Sequence, residues 1–267
     1  MPKFAALTDQ ENARLSDFKA TYTKWVISTD RLDPDAVRMA ITALYEAAKK
    51  PAPEHIVITP SPLQALWFCA AMMEGGDFGK DQLDDGALAQ LAALKKADIG
   101  KSSLAKVLGM KVYDKINTQY MKLSVPSDIH DQMNEALTYM LGQYLQQKAG
   151  PEKALFPVKT ALAAHRGIPS FKMPLKDPTM DAMECGALAA PSLSLNVPRF
   201  AYLHDVRGLF EDGRGLYAVA EHCGSVWPFK NVAIVSERPT DILYDVNHPE
   251  PWTLPAPAVA FADGSQI

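Results

Sequence analysis

The sequence predicts an α+β fold, predominantly helical, with a small sheet built from separated short strands. Three observations carry this expectation. The first half contains amphipathic segments with well-formed helix starts. Two short apolar runs, around Ile56–Thr59 and Val232–Val235, stand far apart in the chain and are bounded by prolines. The chain has 20 prolines, crowded into the second half, which keeps elements there short and loops frequent. With 267 residues, 48% of them hydrophobic, the chain can bury a substantial core. We read residues 1–267 as a single domain. A subdivision near 150 would leave a helical part with one buried strand (1–150) and a loop-rich α/β part (151–267).

The elements follow in order. Thr8 with Glu11 three residues later makes a capping box, and Leu15, Phe18, Tyr22, Trp25 and Val26 follow at helical spacing. Asp33 followed by Pro34 opens a second helix, with Val37, Ala40, Ile41, Leu44 and Tyr45 on one face. His55–Thr59 reads as a buried strand. Ser61 and Pro62 then start an apolar helix that ends near Gly75 and Gly76. Residues 77–125 are weakly patterned and read as helical. Ser127 or Asp128 caps a helix carrying Ile129, Met133, Leu137, Met140, Leu141, Tyr144 and Leu145, closed by Gly150 and Pro151. Beyond it we expect helices near Met180–Leu188, Phe200–Phe210 and Gly215–Cys223. Strands are expected at Val232–Val235, Ile242–Tyr244 and Val259–Phe261. The Ile56–Thr59 and Val232–Val235 strands are expected to be sheet neighbours.

Charge and composition narrow the classes. The net charge is -4, with no global basic excess of the kind that marks nucleic-acid binding. A local excess exists: seven lysines against two aspartates between Lys95 and Lys122, among them Lys95, Lys96, Lys101, Lys106 and Lys111. It reads as a solvated helical face, with contact to phosphates or an acidic protein as the alternative. Only Tyr113 and Tyr120 accompany it, too few aromatics for single-strand stacking. Cys69, Cys185 and Cys223 are odd in number and contain no CxxC pair, so neither a metal site nor a disulfide framework nor any cofactor is expected. No stretch approaches the roughly 18 uncharged apolar residues of a membrane span. The N-terminus lacks the apolar core of a signal peptide, so a soluble, cytoplasmic protein is expected.

Four stretches carry a resemblance. They are Ser61-Pro62 after an apolar strand; Cys223-Gly224-Ser225-Val226-Trp227-Pro228-Phe229; Ser236-Glu237-Arg238-Pro239; and Pro257-Ala258-Val259-Ala260-Phe261-Ala262-Asp263-Gly264. In these the chain resembles an uncharacterised bacterial domain-of-unknown-function family. Family members usually carry a Gly-Arg-Leu-His stretch shortly before Pro-Ala, where this chain has Val246–Pro251. They also continue past the Asp-Gly. The resemblance implies no reaction, cofactor or catalytic residue. It leaves open an unpaired terminal strand that another chain, or a second copy, would complete.

The candidate catalytic residues are Cys223 and His204; the candidate ligand-binding residues are Ser61, Arg238 and Trp227. His222 cannot itself activate Cys223, because neighbours on a helix point apart, so a pair would need His204 or His165. The competing reading makes Cys223 a small buried residue at a helix end, with Gly224 as the C-cap. Trp227 is a ligand platform or a core anchor at a helix–strand corner. Arg238 grips an anion or an internal carboxylate. Ser61 offers the free N–H groups of a helix start, or simply caps it. His204-Asp205 with Arg207, and His130-Asp131, are acid–base in composition and read as charged helix surface. Two functions follow. The preferred one is a non-enzymatic macromolecule-binding or regulatory protein. The alternative is an enzyme with an anion site between the Ser61 helix start and the Cys223–Arg238 block.

Overall fold

The computed structural model describes residues 4–75, 77–94, 104–136, 151–169, 172–173, 177, 179–180, 183, 188–189, 197–242 and 259–266. Chain order is α1 Asp9–Ile27, α2 Pro34–Ala47, β1 His55–Thr59, α3 Pro62–Glu74, α4 Asp85–Leu94, α5 Lys111–Lys122 and α6 Ser127–Ala136. There follow α7 Pro151–His165, β2 Leu188–Ala189, α8 Val197–Arg207, α9 Arg214–His222, β3 Ser225–Pro228, β4 Val232–Ser236, β5 Asp241–Ile242 and β6 Val259–Ala260. The fold is α+β and predominantly helical, as expected.

The helix starts form as their residue types dictate. The Thr8 side chain accepts from the Glu11 amide while Glu11 reaches back to the Thr8 amide, closing the capping box of α1. Asp33 caps α2 with Pro34 behind it, and Ser61 caps α3 with Pro62 behind it. The expected face of α2, Val37 through Tyr45, is buried.

The main sheet has the order β1-β4-β3-β2. β1 runs parallel to β4 in the register His55↔Val232 to Thr59↔Ser236, so the two predicted neighbours do pair. β3 is antiparallel to β4, and β2 is antiparallel to β3. Alternate residues of β4 enter two different cores. Ala233 and Val235 face a cluster with residues of α1, α2, α5, α6, α8 and α9. Val232 and Ile234 face a second cluster with residues of α3, α4 and α7. A strand covered on both faces reads as a continuous apolar run, which is why Val232–Val235 stood out. β1 from the first half thus pairs with β4 from the second.

Several expectations need correction. Trp227-Pro228 is not a corner: it lies within strand β3, fully buried. Leu188 ends no helix; it pairs with Val226 in β2, although Thr179, Met180 and Met183 upstream are helical. The expected Phe200–Phe210 helix starts at Val197 and stops at Arg207, because Gly208 and Phe210 take left-handed φ of 63° and 59°. Helix α7 was not foreseen. It contains Pro157, the residue type that argues against a helix interior. Gly224 is not a left-handed cap: the α9 C-cap is Cys223, in extended conformation. The terminal strand is not open: β6 pairs with β5, and Ala260 also bridges Gln266. The Leu137–Leu145 part of the predicted helix, Cys185, Tyr244, Val246–Pro251, Pro257 and Ala258 lie outside the described residues.

Among the described residues no helix is long and apolar enough to cross a membrane.

Candidate functional site

Three helices leave an open groove of about 450 Å³ between them. α1 contributes Arg14, Asp17, Phe18, Thr21 and Trp25, whose spacing of three and four places them on one face. α8 adds Ala201, His204 and Asp205, and α9 adds Tyr217 and Glu221, again at helical spacing. The aromatic face predicted for α1 is therefore split. Leu15 and Tyr22 go into the core, while Phe18 and Trp25 stay half-buried at the groove. Their rings meet edge to face at 6.3 Å. On the facing side the His204 and Tyr217 rings lie 5.6 Å apart.

Polar contacts fix this geometry. Arg14 bonds Asp205 at 2.5 Å across the α1–α8 junction. Arg207, one turn below, holds Glu11 with two nitrogens at 2.6 and 2.8 Å. That guanidinium, together with the cap contacts of Thr8, draws the Glu11 carboxyl down to about 2. Arg207 thus ties α8 to the start of α1, while the Arg14–Asp205 pair stays about half exposed, as a charged helix surface does. His204 Nδ1 lies 2.9 Å from the Leu209 carbonyl, to which it donates, and Tyr217 donates to the Phe210 carbonyl. Both side chains pin the corner at which Phe210 is left-handed. The donated proton on Nδ1 leaves Nε2 as the available nitrogen of His204.

Ser61, Cys223 and Arg238 are gathered elsewhere, at the carboxyl end of β1 and β4. Ser61 is fully buried; its oxygen accepts from the Gln64 amide and its hydroxyl donates to Asp263 at 2.5 Å. The carboxylate that a helix start favours is therefore supplied by the chain itself. Arg238 donates to Ser28 Oγ at 3.0 Å and to the Glu221 carbonyl, closing the last turn of α9. Burial lowers its pKa. Cys223 is 1% exposed, and burial pushes its thiol up to about 12 despite the nearby Arg238 charge. A thiol so placed holds its proton and is a poor nucleophile. Trp227 is fully buried in the second core, with no partner for its indole N–H among the described residues. His204 lines a groove that includes none of Ser61, Cys223, Trp227 or Arg238.

Two further polar clusters were missed in sequence. Arg166 joins Glu74 on α3 to Asp177, with Thr179 donating to Glu74 at 2.7 Å. Arg199, 3% exposed, lies over the Tyr120 ring at 4.4 Å and 2.9 Å from His130 Nδ1. Burial first, and then the Arg199 charge, lower the His130 pKa. His130 is half-buried against Arg199 and Tyr120, while Asp131 stays exposed on the helix surface. Of the lysines, Lys111, Lys115 and Lys122 project from the outer side of α5, Lys115 toward Asp212 at 2.8 Å. Lys95, Lys96, Lys101 and the Lys106 side chain lie outside the described residues. Among the described residues no group of three or more His, Cys, Asp or Glu side chains is placed to hold a metal ion.

Comparison with protein-family models, with curated proteins and with solved structures returns no match for this chain.

Proposed function

We propose that this protein is a non-enzymatic, macromolecule-binding or regulatory protein, and that it meets its partner at the groove between α1, α8 and α9. The observation that carries this reading is the groove's make-up. Aromatic rings and charged groups line one open surface of about 450 Å³, with α1 and α8 held together by ion pairs. The groups that a reaction would need are withdrawn from solvent: the Cys223 thiol is buried and protonated, and Ser61 is bonded to Asp263. The alternative, an enzyme with an anion site between Ser61 and the Cys223–Arg238 block, finds its anion seat filled by the chain's own carboxylate. We also propose that the chain belongs to the uncharacterised bacterial family it resembles and works in the cytoplasm, where the free thiols Cys69 and Cys223 persist.

The test is purification of a tagged chain from its producing cell beside a Thr21→Trp variant, in which the new ring fills the groove. Thr21 is exposed on α1, so the change leaves the core untouched. A stoichiometric macromolecule retained by the wild type and lost by the variant is the expected result. A partner held equally by both, or a bare monomer from both, removes the groove from the account.

A further inference from the structure

The groove carries more information than its openness. Its lining holds three carboxylates, Asp17, Asp205 and Glu221, against one guanidinium, Arg14. Arg14 is already committed to Asp205. Asp17 has no ion-pair partner among the described residues, whereas the Glu221 carboxylate has the His222 ring at 3.6 Å and the Arg238 charge near by. Between these charges stand aromatic rings: Phe18 and Trp25 on α1, and Tyr217 with His204 opposite. Ring faces attract cations through their quadrupole, and carboxylates at the rim complete the charge. An anionic ligand would meet uncompensated negative charge. A purely apolar helix would bury Asp17 unpaired, at a desolvation cost with no return.

We infer that the groove selects a cationic side chain, a lysine or arginine presented by a basic segment of the partner. This rests on the reading of the groove as the partner site and adds the chemistry of what enters it. The long stem packs along Trp25 and Phe18, and the charged head lies between Asp17 and Glu221. The Arg14–Asp205 pair sets the affinity: it neutralises one carboxylate that would otherwise join the site.

The experiment is calorimetric titration of the full-length chain with blocked oligoarginine, and with blocked oligoglutamate for comparison. Oligoarginine binds, weakens as salt rises, and oligoglutamate does not bind. Asp17→Asn and Glu221→Gln each weaken binding roughly two- to fivefold. Glu46→Gln, a carboxylate change outside the groove, leaves binding unchanged. Arg14→Gln releases Asp205 and tightens binding by a similar factor, the opposite direction from any loss of structure. Near-ultraviolet circular dichroism checks that each variant is folded. Equal weakening by Glu46→Gln, or weaker binding by Arg14→Gln, overturns the inference. The two claims fail separately. If Thr21→Trp releases the native partner while the charge variants change nothing, the groove stands and its cation selectivity falls. If Thr21→Trp leaves the partner bound, the groove itself is wrong.

Discussion

Gly224 is the position at which the structure and the sequence pattern make opposite predictions. As a C-cap it would occupy left-handed space, where alanine is strained and asparagine is the best replacement. In the structure its φ is not left-handed, and the constraint is proximity instead. A Cβ added there would lie 2.2 Å from the Ser236 carbonyl oxygen and 3.0 Å from both the Glu237 carbonyl and Ser236 Oγ. Ordinary contact begins at 3.4 Å, so the segments must part by about 1.2 Å. That movement also breaks the bond from the Ser225 amide to Ser236 Oγ, now 3.0 Å. Overpacking costs about 1–3 kcal/mol and the lost hydrogen bond about 1 kcal/mol, so Gly224→Ala should destabilise by about 2–4 kcal/mol. Thermal unfolding should fall by roughly 4–16 °C at about 2–4 °C per kcal/mol. Gly224→Asn, with a larger side chain in the same space, should be worse than alanine. An asparagine variant more stable than the alanine variant would refute the close-approach account and restore the cap.

Three other outcomes follow from the geometry. Iodoacetamide in mildly alkaline buffer should leave Cys223 and Cys69 unmodified in the folded chain and label both in urea, read by peptide mass mapping, because burial raises both thiols; rapid native labelling of Cys223 would contradict its placement. The Glu11 carboxyl titrates near 4.5 when free and near 2 when folded, so its contribution to stability is present above 4.5 and disappears as pH falls toward 2. Urea unfolding should accordingly show Glu11→Gln less stable than wild type at neutral pH, with the gap closing across that window; a gap independent of pH would exclude the Arg207 pair as its source. Arg166→Met leaves Glu74 and Asp177 facing each other with side chains only 14% and 7% exposed. It should cost about 3 kcal/mol in urea unfolding, with Arg166→Lys a poor rescue because one ammonium cannot span both carboxylates and Thr179; a loss within the error of the measurement would show that the cluster is solvated.

Much of the scaffold is legible in the sequence because it is written in local terms. The caps at Thr8, Asp33 and Ser61 satisfy amides of their own helices, so residue type and spacing suffice to find them. The pairing of β1 with β4 is legible because a doubly covered strand must be apolar throughout. The elements that escape are decided by distant partners. Trp227-Pro228-Phe229 reads as a corner between helix and strand, and Ser225–Pro228 becomes a strand because β4 and β2 flank it. Helix α7 tolerates Pro157 because Val158 and Leu162 bury against α3 and its neighbours. The groove escapes for a related reason. Phe18 and Trp25 carry the same spacing as Leu15 and Tyr22, and which pair meets solvent depends on where α8 lands. Charge pairs such as Arg14–Asp205 and Arg207–Glu11 join residues nearly two hundred positions apart, beyond any periodicity.

The stretches around Ser61, Gly224, Glu237 and Asp263 meet at one end of the sheet, some through side chains and some through the backbone. Ser61 bonds Asp263, linking the first stretch to the last. Gly224 lies against Ser236 with room for no side chain, linking the second to the third. The Glu237 amide donates to Thr59 at 2.7 Å, and Glu237 Oε2 accepts from the Leu32 amide at 3.0 Å, joining the third stretch to the entry of α2. Arg238 closes α9 immediately before Cys223. These contacts assemble the frame. The groove residues, from Arg14 to Trp25 and from Ala201 to Glu221, lie outside all four stretches. The stretches therefore build the junction of β1, β4, α3 and α9 and contribute no side chain to the groove. The stretches thus account for a scaffold, and the chemistry of the groove is set by the exposed face of α1 and the helix surfaces opposite.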